Sequence, residues 1–225
     1  QRIVKTAEEA ARFAPEDPEY VPELQPQTYL PINPYFISTA AATPQLRAKG
    51  VQSSIEPSIN KDLLSAGFFT NRHGFSAVGN NHKLFGYYQS SNASFSVTTR
   101  TQDGSGSGWG SDSARNIDKI DYQAASRRAL EKAEASSHSK TLEPGTYPVI
   151  LEPQAVADFM RTGSYALNAR SADEGRSFFS KSGGGNKLGE KVAGDNVTMR
   201  SDPTHPELLG RPFGGGGLPA KKNTW

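Results

Sequence analysis

Residues 65–101 read SAGFFTNRHGFSAVGNNHKLFGYYQSSNASFSVTTRT, and the period of this stretch decides the fold. Phe75, Ala77, Phe85, Tyr87, Phe95 and Val97 are separated by even numbers of residues. Successive strand side chains point to opposite faces, so these six can share one face of neighbouring strands. Gly79, Asn80 and Asn81 make a hairpin signal, because Gly and Asn tolerate positive φ. Ser90, Ser91 and Asn92 read as a second turn. The stretch predicts an antiparallel meander whose Ser/Thr-rich side faces solvent or a partner.

Toward the C-terminus, residues 102–113 read as a loop, with Gly104, Gly106, Gly108 and Gly110 around Trp109. A helix is predicted from Asp118 or Asp121 to Ser137, since an aspartate at its start can accept from free backbone N–H groups. Tyr122, Ala125, Ala129, Leu130 and Ala133 give that helix a narrow, small-residue apolar face suited to close packing on a sheet. Glu143, Pro144 and Gly145 turn the chain into residues 147–151, a short apolar stretch read as a buried strand. Pro153 suits the first position of another helix, predicted through Arg161, with Val156, Phe159 and Met160 as its contacts. Beyond Gly163 the chain reads as irregular, apart from a strand predicted at residues 197–200.

Toward the N-terminus, residues 43–54 fit a short helix or a strand equally well. Pro22, Pro26, Pro31 and Pro34 punctuate an extended connector, each removing a backbone donor and restricting the residue before it. Residues 1–14 place Ile3, Val4, Ala7, Ala11 and Ala14 at helical spacing, and Pro15 and Pro18 stop that helix. The predicted fold class is α+β, an antiparallel β-sheet with helices packed on one face. Residues 1–60 are expected to be the end of an N-terminal domain with its Pro-rich connector, and residues 61–225 a β-rich part leading into a C-terminal domain. The chain starts inside a helix and stops without a closing element, as expected of a piece of a longer protein.

The 225 residues carry 25 Lys and Arg against 23 Asp and Glu, a net charge of +2, with no run of five like charges. That near balance lacks the electrostatic footprint of a nucleic-acid binder. The absence of cysteine excludes disulfides, thiol nucleophiles and thiolate metal ligands within this chain. No stretch reaches the roughly 18 apolar residues of a membrane helix. A cytoplasmic chain without membrane or nucleic-acid partners is the expectation.

The motifs of common chemistries fail on spacing. The alternate glycines from Gly104 to Gly110 do not fit Gly-x-Gly-x-x-Gly, and Lys181 to Lys187 has no Gly-Lys-Ser/Thr ending. No Gly-x-Ser-x-Gly nucleophile elbow occurs. His73 and His82 are nine residues apart and flank the hairpin turn, while His138 and His205 stand alone. None of these fits a helical ligand pair, so no metal site is expected. The carboxylate pairs Glu16/Asp17, Glu131/Glu134 and Asp173/Glu174 read as solvated faces rather than acid–base pairs. Catalytic residues are therefore expected to be none. Trp109 either plugs a core edge, the favoured reading, or offers a stacking surface.

The order of several segments carries a resemblance. Residues 67–74 (GFFTNRHG) are similar to a strand turn of the TldD/PmbA family, although Arg72 stands where that family has a small residue. Residues 94–100 and the Gly-rich stretch, followed by Asn116, Ile117 and Asp118 and then residues 124–129, resemble the segment that comes next. Residues 142–153 (LEPGTYPVILEP) look like its Tyr-Pro-Val strand. Residues 187–192 and Ser201, Asp202 and Pro203 look like its later Leu-Gly and Asp-Pro stretches. The resemblance covers residues 60–213, with a weaker likeness between Glu9 and Pro26. Where the family carries an acidic turn after Asp-Pro, this chain has Gly214 to Gly217.

In the TldD branch, the resemblance implies, the Tyr-Pro-Val strand leads into a helix with His-Glu-x-x-x-His that binds zinc and activates water. The corresponding residues here, 153–160 (PQAVADFM), contain no histidine. Neither Glu152 nor Asp158 can rebuild the site alone. That departure places the chain on the PmbA (TldE) branch. The implied role is that of a non-catalytic subunit of a TldD-type zinc metallopeptidase acting on unfolded peptides, in proteolysis or peptide maturation. Zinc is then expected only in a TldD-like partner, with no cofactor in this chain. Asn71, Arg100 and Trp109, with residues 94–101, are the expected peptide contacts, including strand addition at an exposed edge. The alternatives are a homodimeric peptide- or protein-binding protein without peptidase activity, and an autonomous metallopeptidase drawing ligands from residues outside this chain.

Overall fold

The computed structural model describes residues 2–224. The readings of Gln1 as part of the first helix and of Trp225 as the end of the tail lie outside them. Contacts divide the described residues into 2–139 with 200–224, and 140–199. The first unit holds helices α1 (Arg2–Phe13), α2 (Ile37–Ala40) and α3 (Pro44–Ile59). Strands β1 (Leu63–Gly79), β2 (Phe85–Thr101) and β3 (Ser107–Ala114), helix α4 (Tyr122–Ser136) and a small ribbon complete it. The sheet order is β1-β2-β3, antiparallel throughout, with α2, α3 and α4 over one face. The α+β expectation describes this architecture.

The hairpin turn falls where the sequence predicts it. Asn80 Oδ1 accepts from the N–H groups of His82 and Leu84, and Lys83 adopts φ +67°. The second predicted turn does not exist, because Ser90, Ser91 and Asn92 lie inside the 17-residue β2. Ser91 there donates to Arg115 O at 2.8 Å and accepts from Phe36 N–H at 2.9 Å. Its hydroxyl therefore ties the strand to two flanking segments, and a polar residue mid-strand needs no turn. Residues 43–54, which fitted two readings, form α3, capped by the Thr43 hydroxyl accepting from Leu46 N–H and opened by Pro44.

Of the alternate glycines, Gly108 and Gly110 are strand, whereas Gly104, at φ +73°, and Gly106 stay in the loop that precedes β3. An added Cβ on Gly106, Gly108 or Gly110 would come within 2.2, 2.0 and 2.0 Å of the carbonyl oxygens of Ala133, Ala129 and Ala125. A two-residue strand step, about 6.7 Å, nearly matches a four-residue helix step of about 6 Å. Three glycines therefore meet three helical carbonyls in register, and α4 lies directly on the β3 backbone. Asp121 caps α4 by accepting from Ala124 N–H at 2.8 Å. The anticipated face of Ala125, Ala129, Leu130 and Ala133 is buried.

The core gathers Phe69, Ala93, Phe95, Val97, Ile117, Ile120, Ala125 and Ala129. Phe69 and Phe95 are register partners and meet edge-on at 5.6 Å, a geometry worth about 0.5–1.5 kcal/mol beyond burial. Thr39, fully buried, donates to Arg115 O and accepts from Ile117 N–H, which anchors α2 beside that core.

The two ends of the β1–β2 hairpin are covered on opposite faces. Near its root, the face of Phe69, Phe95 and Val97 lies under the helices. Near its tip, the other face is covered: Tyr88 and Phe213 meet edge-on at 5.1 Å, and Tyr29 lies 4.7 Å from Phe213. Gly86 leaves room for both rings, since a Cβ there would sit 2.8 Å from Phe213. Tyr29 Oη donates to Gly217 O, joining the connector to the C-terminal segment. The six residues predicted to share a face do so, yet Phe75, Phe85 and Tyr87 are exposed at the tip.

The ribbon pairs β4 (Arg200–Ser201) with β5 (Asn223–Thr224), so the strand expected at residues 197–200 begins only at its end. The second unit contains α5 (Pro153–Tyr165) and α6 (Ala169–Asp173). The Asn168 side chain caps α6 by accepting from Ser171 N–H. Residues 147–151 enter no strand, and Val149, Ile150 and Leu151 are exposed. The buried strand predicted there does not form because no strand among the described residues pairs with it. Val156, Phe159 and Met160 on α5 are likewise exposed. Among the described residues of this unit, Ala172 alone is buried. No described helix is long and apolar enough to cross a membrane.

Candidate functional site

The three residues expected to touch peptide do not converge. Asn71 faces the helices: its Nδ2 donates to Thr39 O at 2.8 Å and its Oδ1 accepts from Arg47 Nη1. Both ends of the amide are engaged in holding α2 and α3 against β1. Arg100 and Trp109 lie instead on the opposite, helix-free face, where Arg100 is opposite Leu64 and Ser107, and Trp109 is opposite Thr98. Trp109, 38% exposed, is not a core plug. The glycines on either side of it occupy the helix-facing positions, and strand alternation sends its indole outward. This face also exposes Leu64 and Phe68 beside Ser94, Ser96 and Thr98.

The backbone of residues 94–101 is fully committed. β2 is the central strand, paired with β1 on one side and β3 on the other, so strand addition cannot occur along it. The two outer edges differ. At β3, Arg128 donates to Ser111 O at 2.8 Å, Lys132 to Trp109 O at 3.1 Å, and Ser136 both accepts from Ser107 N–H and donates to Ser107 O. Side chains of α4 thus occupy that edge. At β1, no described strand pairs with the outer edge.

Beside β1, a cleft of about 240 Å³ opens between the strand and α3, walled by Val51, Ile55, Gly67, Phe68, Phe95 and Val97. Gly67 is required where it stands, because a Cβ would lie 2.1 Å from Ser96 O. Sequence reasoning passed over this cleft. Its signals were a lone glycine inside an apolar strand and the four-residue spacing of Val51, Ile55 and Ile59.

The polar side chains do not assemble a metal centre. Among the described residues, no group of three or more His, Asp or Glu side chains could hold a metal ion. His73 sits on β1 opposite Ser91, and His205 Nδ1 accepts from Glu207 N–H in a loop. On α5, Asp158 accepts from Gln154 at 3.2 Å and from Arg161 at 3.3 Å. Zinc bound as in the TldD branch needs two imidazoles on this helix, and α5 supplies none, so the residues present do not fit the ion.

Carboxylates with depressed pKa values belong to local structure. The Thr204 hydroxyl, then Lys222, hold Asp202 down to about 2. The hydroxyl of Thr101 and the Ser105 donors hold Asp103, in the β2–β3 loop, to about 2. Glu174 is lowered by Arg170 and then Arg176. Each case is a charge or hydroxyl stabilising the anion, and none faces a cavity described above.

Comparison with known proteins agrees with this architecture. Residues 44–137 match a family model described as the PmbA/TldA metallopeptidase central domain, and residues 144–225 match the C-terminal domain of the same family. No curated protein matches the chain. Among solved structures, a protein of Bacteroides thetaiotaomicron VPI-5482, named as a modulator of DNA gyrase, is 19% identical. It covers 99% of this chain and 52% of its own, with a TM-score of 0.80. A Thermotoga maritima MSB8 protein of the same description is 20% identical, covers 98% and 51%, and gives 0.79. TldE of Thermococcus kodakarensis is 19% identical, covers 98% and 50%, and gives 0.71. At these identities the likeness establishes the fold, and the chain spans about half the length of each of these structures.

Proposed function

We propose that this chain, which belongs to the PmbA/TldD family, serves as the non-catalytic, PmbA/TldE-type component of a TldD-type zinc metallopeptidase complex acting on unfolded peptides. The observation that carries the reading is the composition of α5. The helix follows the Tyr-Pro-Val segment, where the TldD branch places its two zinc-binding imidazoles, and it presents Val156, Asp158, Phe159 and Met160 instead. A lone carboxylate already bonded to Gln154 and Arg161 supplies too few ligands for zinc. Zinc and the water it activates then belong to a TldD-type subunit, and this chain contributes surface to the enclosure around the peptide. The work is proteolysis or peptide maturation in the cytoplasm, where a cysteine-free chain meets no redox demand.

Exposed apolar surface supports the same reading. Val149, Ile150, Leu151 and Phe159 are exposed in one unit and Phe75 and Phe85 in the other, apolar side chains of the kind that a partner surface covers. The test mixes this chain with a TldD-type subunit carrying His-Glu-x-x-x-His and follows assembly by light scattering and cleavage of an unfolded peptide. A heteromeric complex with faster cleavage than the TldD-type subunit alone is expected. A stable homodimer of this chain that neither joins the subunit nor changes cleavage would favour the independent binding protein.

A further inference from the structure

We propose that the groove between α3 and α4 binds a small zwitterion, a free α-amino acid with an apolar side chain. Arg127 and Gln123 take its carboxylate, and Glu131 takes its ammonium group. The site goes beyond the role proposed above and does not depend on it.

Three observations carry it. The first is the groove. The two helices lie on the same face of the sheet and meet where the Ser126 hydroxyl is 2.7 Å from that of Ser54. Near their C-terminal ends Lys61 Nζ bridges them, 2.8 Å from both carboxylate oxygens of Glu134. Between the helices opens a cavity of about 390 Å³, within the roughly 300–1,000 Å³ of small-molecule pockets.

The second observation is which charges are already engaged. Toward β3, Arg128 and Lys132 of α4 donate to Ser111 O and Trp109 O, and Lys61 is held by Glu134. Gln123, Arg127 and Glu131 line the cavity, and none of their side chains has a partner among the described residues. Arg127 and Glu131 stand one helical turn apart, about 6 Å along the axis. Their order is the reverse of the favoured acid-before-base arrangement, and they leave each other unpaired. A ligand with both charges satisfies both side chains at once. An anion alone meets repulsion from Glu131, and a cation alone from Arg127.

The third observation is the rest of the lining, which sets the ligand's size and side chain. Pro57 on α3 and Leu130 on α4 give the cavity apolar walls, suited to a short aliphatic group. Pro57 stands inside α3 and has no N–H, so Ser53 O lacks its α-helical donor. Ser53 lines the same cavity, and its carbonyl gives the ammonium group a second acceptor. The guanidinium fork of Arg127 matches a carboxylate through two parallel hydrogen bonds.

The experiment titrates the isotope-labelled 225-residue chain with L-leucine, leucinamide and N-acetyl-leucine, read by backbone amide chemical shifts. L-Leucine should give saturable shifts centred on residues 53–61 and 123–131, with a Kd of about 1 mM. Leucinamide lacks the carboxylate and N-acetyl-leucine lacks the ammonium group, and each should bind about fivefold more weakly. Arg127→Gln should erase the preference for leucine over leucinamide while keeping that over N-acetyl-leucine. Glu131→Gln should do the reverse. Both side chains are exposed and unpaired among the described residues, so neither variant should move the urea midpoint, and a loss of binding then reports the site. Equal affinity for all three compounds, shifts centred elsewhere, or no saturable shift with leucine would overturn the proposal. So would the same loss for every compound in both variants.

Discussion

The root and the tip of the β1–β2 hairpin are made of the same two strands, in one continuous register, and they bury opposite faces. At the root, Phe69 and Phe95 point into the helices. At the tip, Phe75, Phe85 and Tyr87 continue the same face and stay exposed, with Phe75 and Tyr87 stacked 5.9 Å apart. There the reverse face, with Gly86 and Tyr88, meets Tyr29 and Phe213. Alternation along a strand therefore tells which side chains travel together. It does not tell which company is buried, because that depends on what part of the chain returns to cover the sheet.

The contrast is testable in energy. Phe95→Ala should show the largest effect, a loss of about 3–5 kcal/mol in urea unfolding, as expected for an aromatic removed from a packed core. The contrast sharpens if Gly108→Ala follows with about 1–3 kcal/mol, the cost of forcing atoms into a filled contact, since that contact also lies under a helix at the root. Phe75→Ser, made on the same face at the tip, should stay within about 0.5 kcal/mol. A loss there comparable to that of Phe95→Ala would break the comparison and mean that the tip face is covered in solution.

The smallest effect concerns the cover of the tip. Asp202, held by Thr204 and Lys222, belongs to the segment that delivers Phe213, and its pKa falls from the ordinary 3.8 to about 2. A depressed carboxylate stabilises the fold above its unfolded value and loses that contribution as pH falls through its folded value. Between pH 4 and pH 2, amide protection factors at the tip should therefore fall ahead of those at the root. Asp202→Asn should flatten that response; an unchanged acid profile would detach Asp202 from the tip's cover.

Much of this fold was legible in the sequence. The even spacing from Phe75 to Val97, the Gly79–Asn80 turn signal and the alanine face of α4 each followed from local stereochemistry. Ser91 misled because a serine's turn-forming chemistry is the same as its capacity to bind neighbouring backbone in a buried strand. The glycines of β3 misled for a related reason: the composition that marks a loop also marks a strand lying against a helix. The site was less legible. Asn71 is occupied by Thr39 and Arg47, partners far away in sequence, and the β1–α3 cleft exists only because two separate elements leave a gap at Gly67. Arg100 and Trp109 do share a face, as strand alternation allows.

The meeting of Gly106, Gly108 and Gly110 with the carbonyls of Ala133, Ala129 and Ala125 has an evolutionary consequence. A clash between side chains can be relieved by a second substitution nearby, but a clash with main chain has no residue to exchange. Gly106, Gly108 and Gly110 are therefore closed to mutation, while Trp109 between them remains free to drift. Selection on residues 106–110 should leave a comb, rigid tooth by rigid tooth, with its adaptive freedom in the gaps.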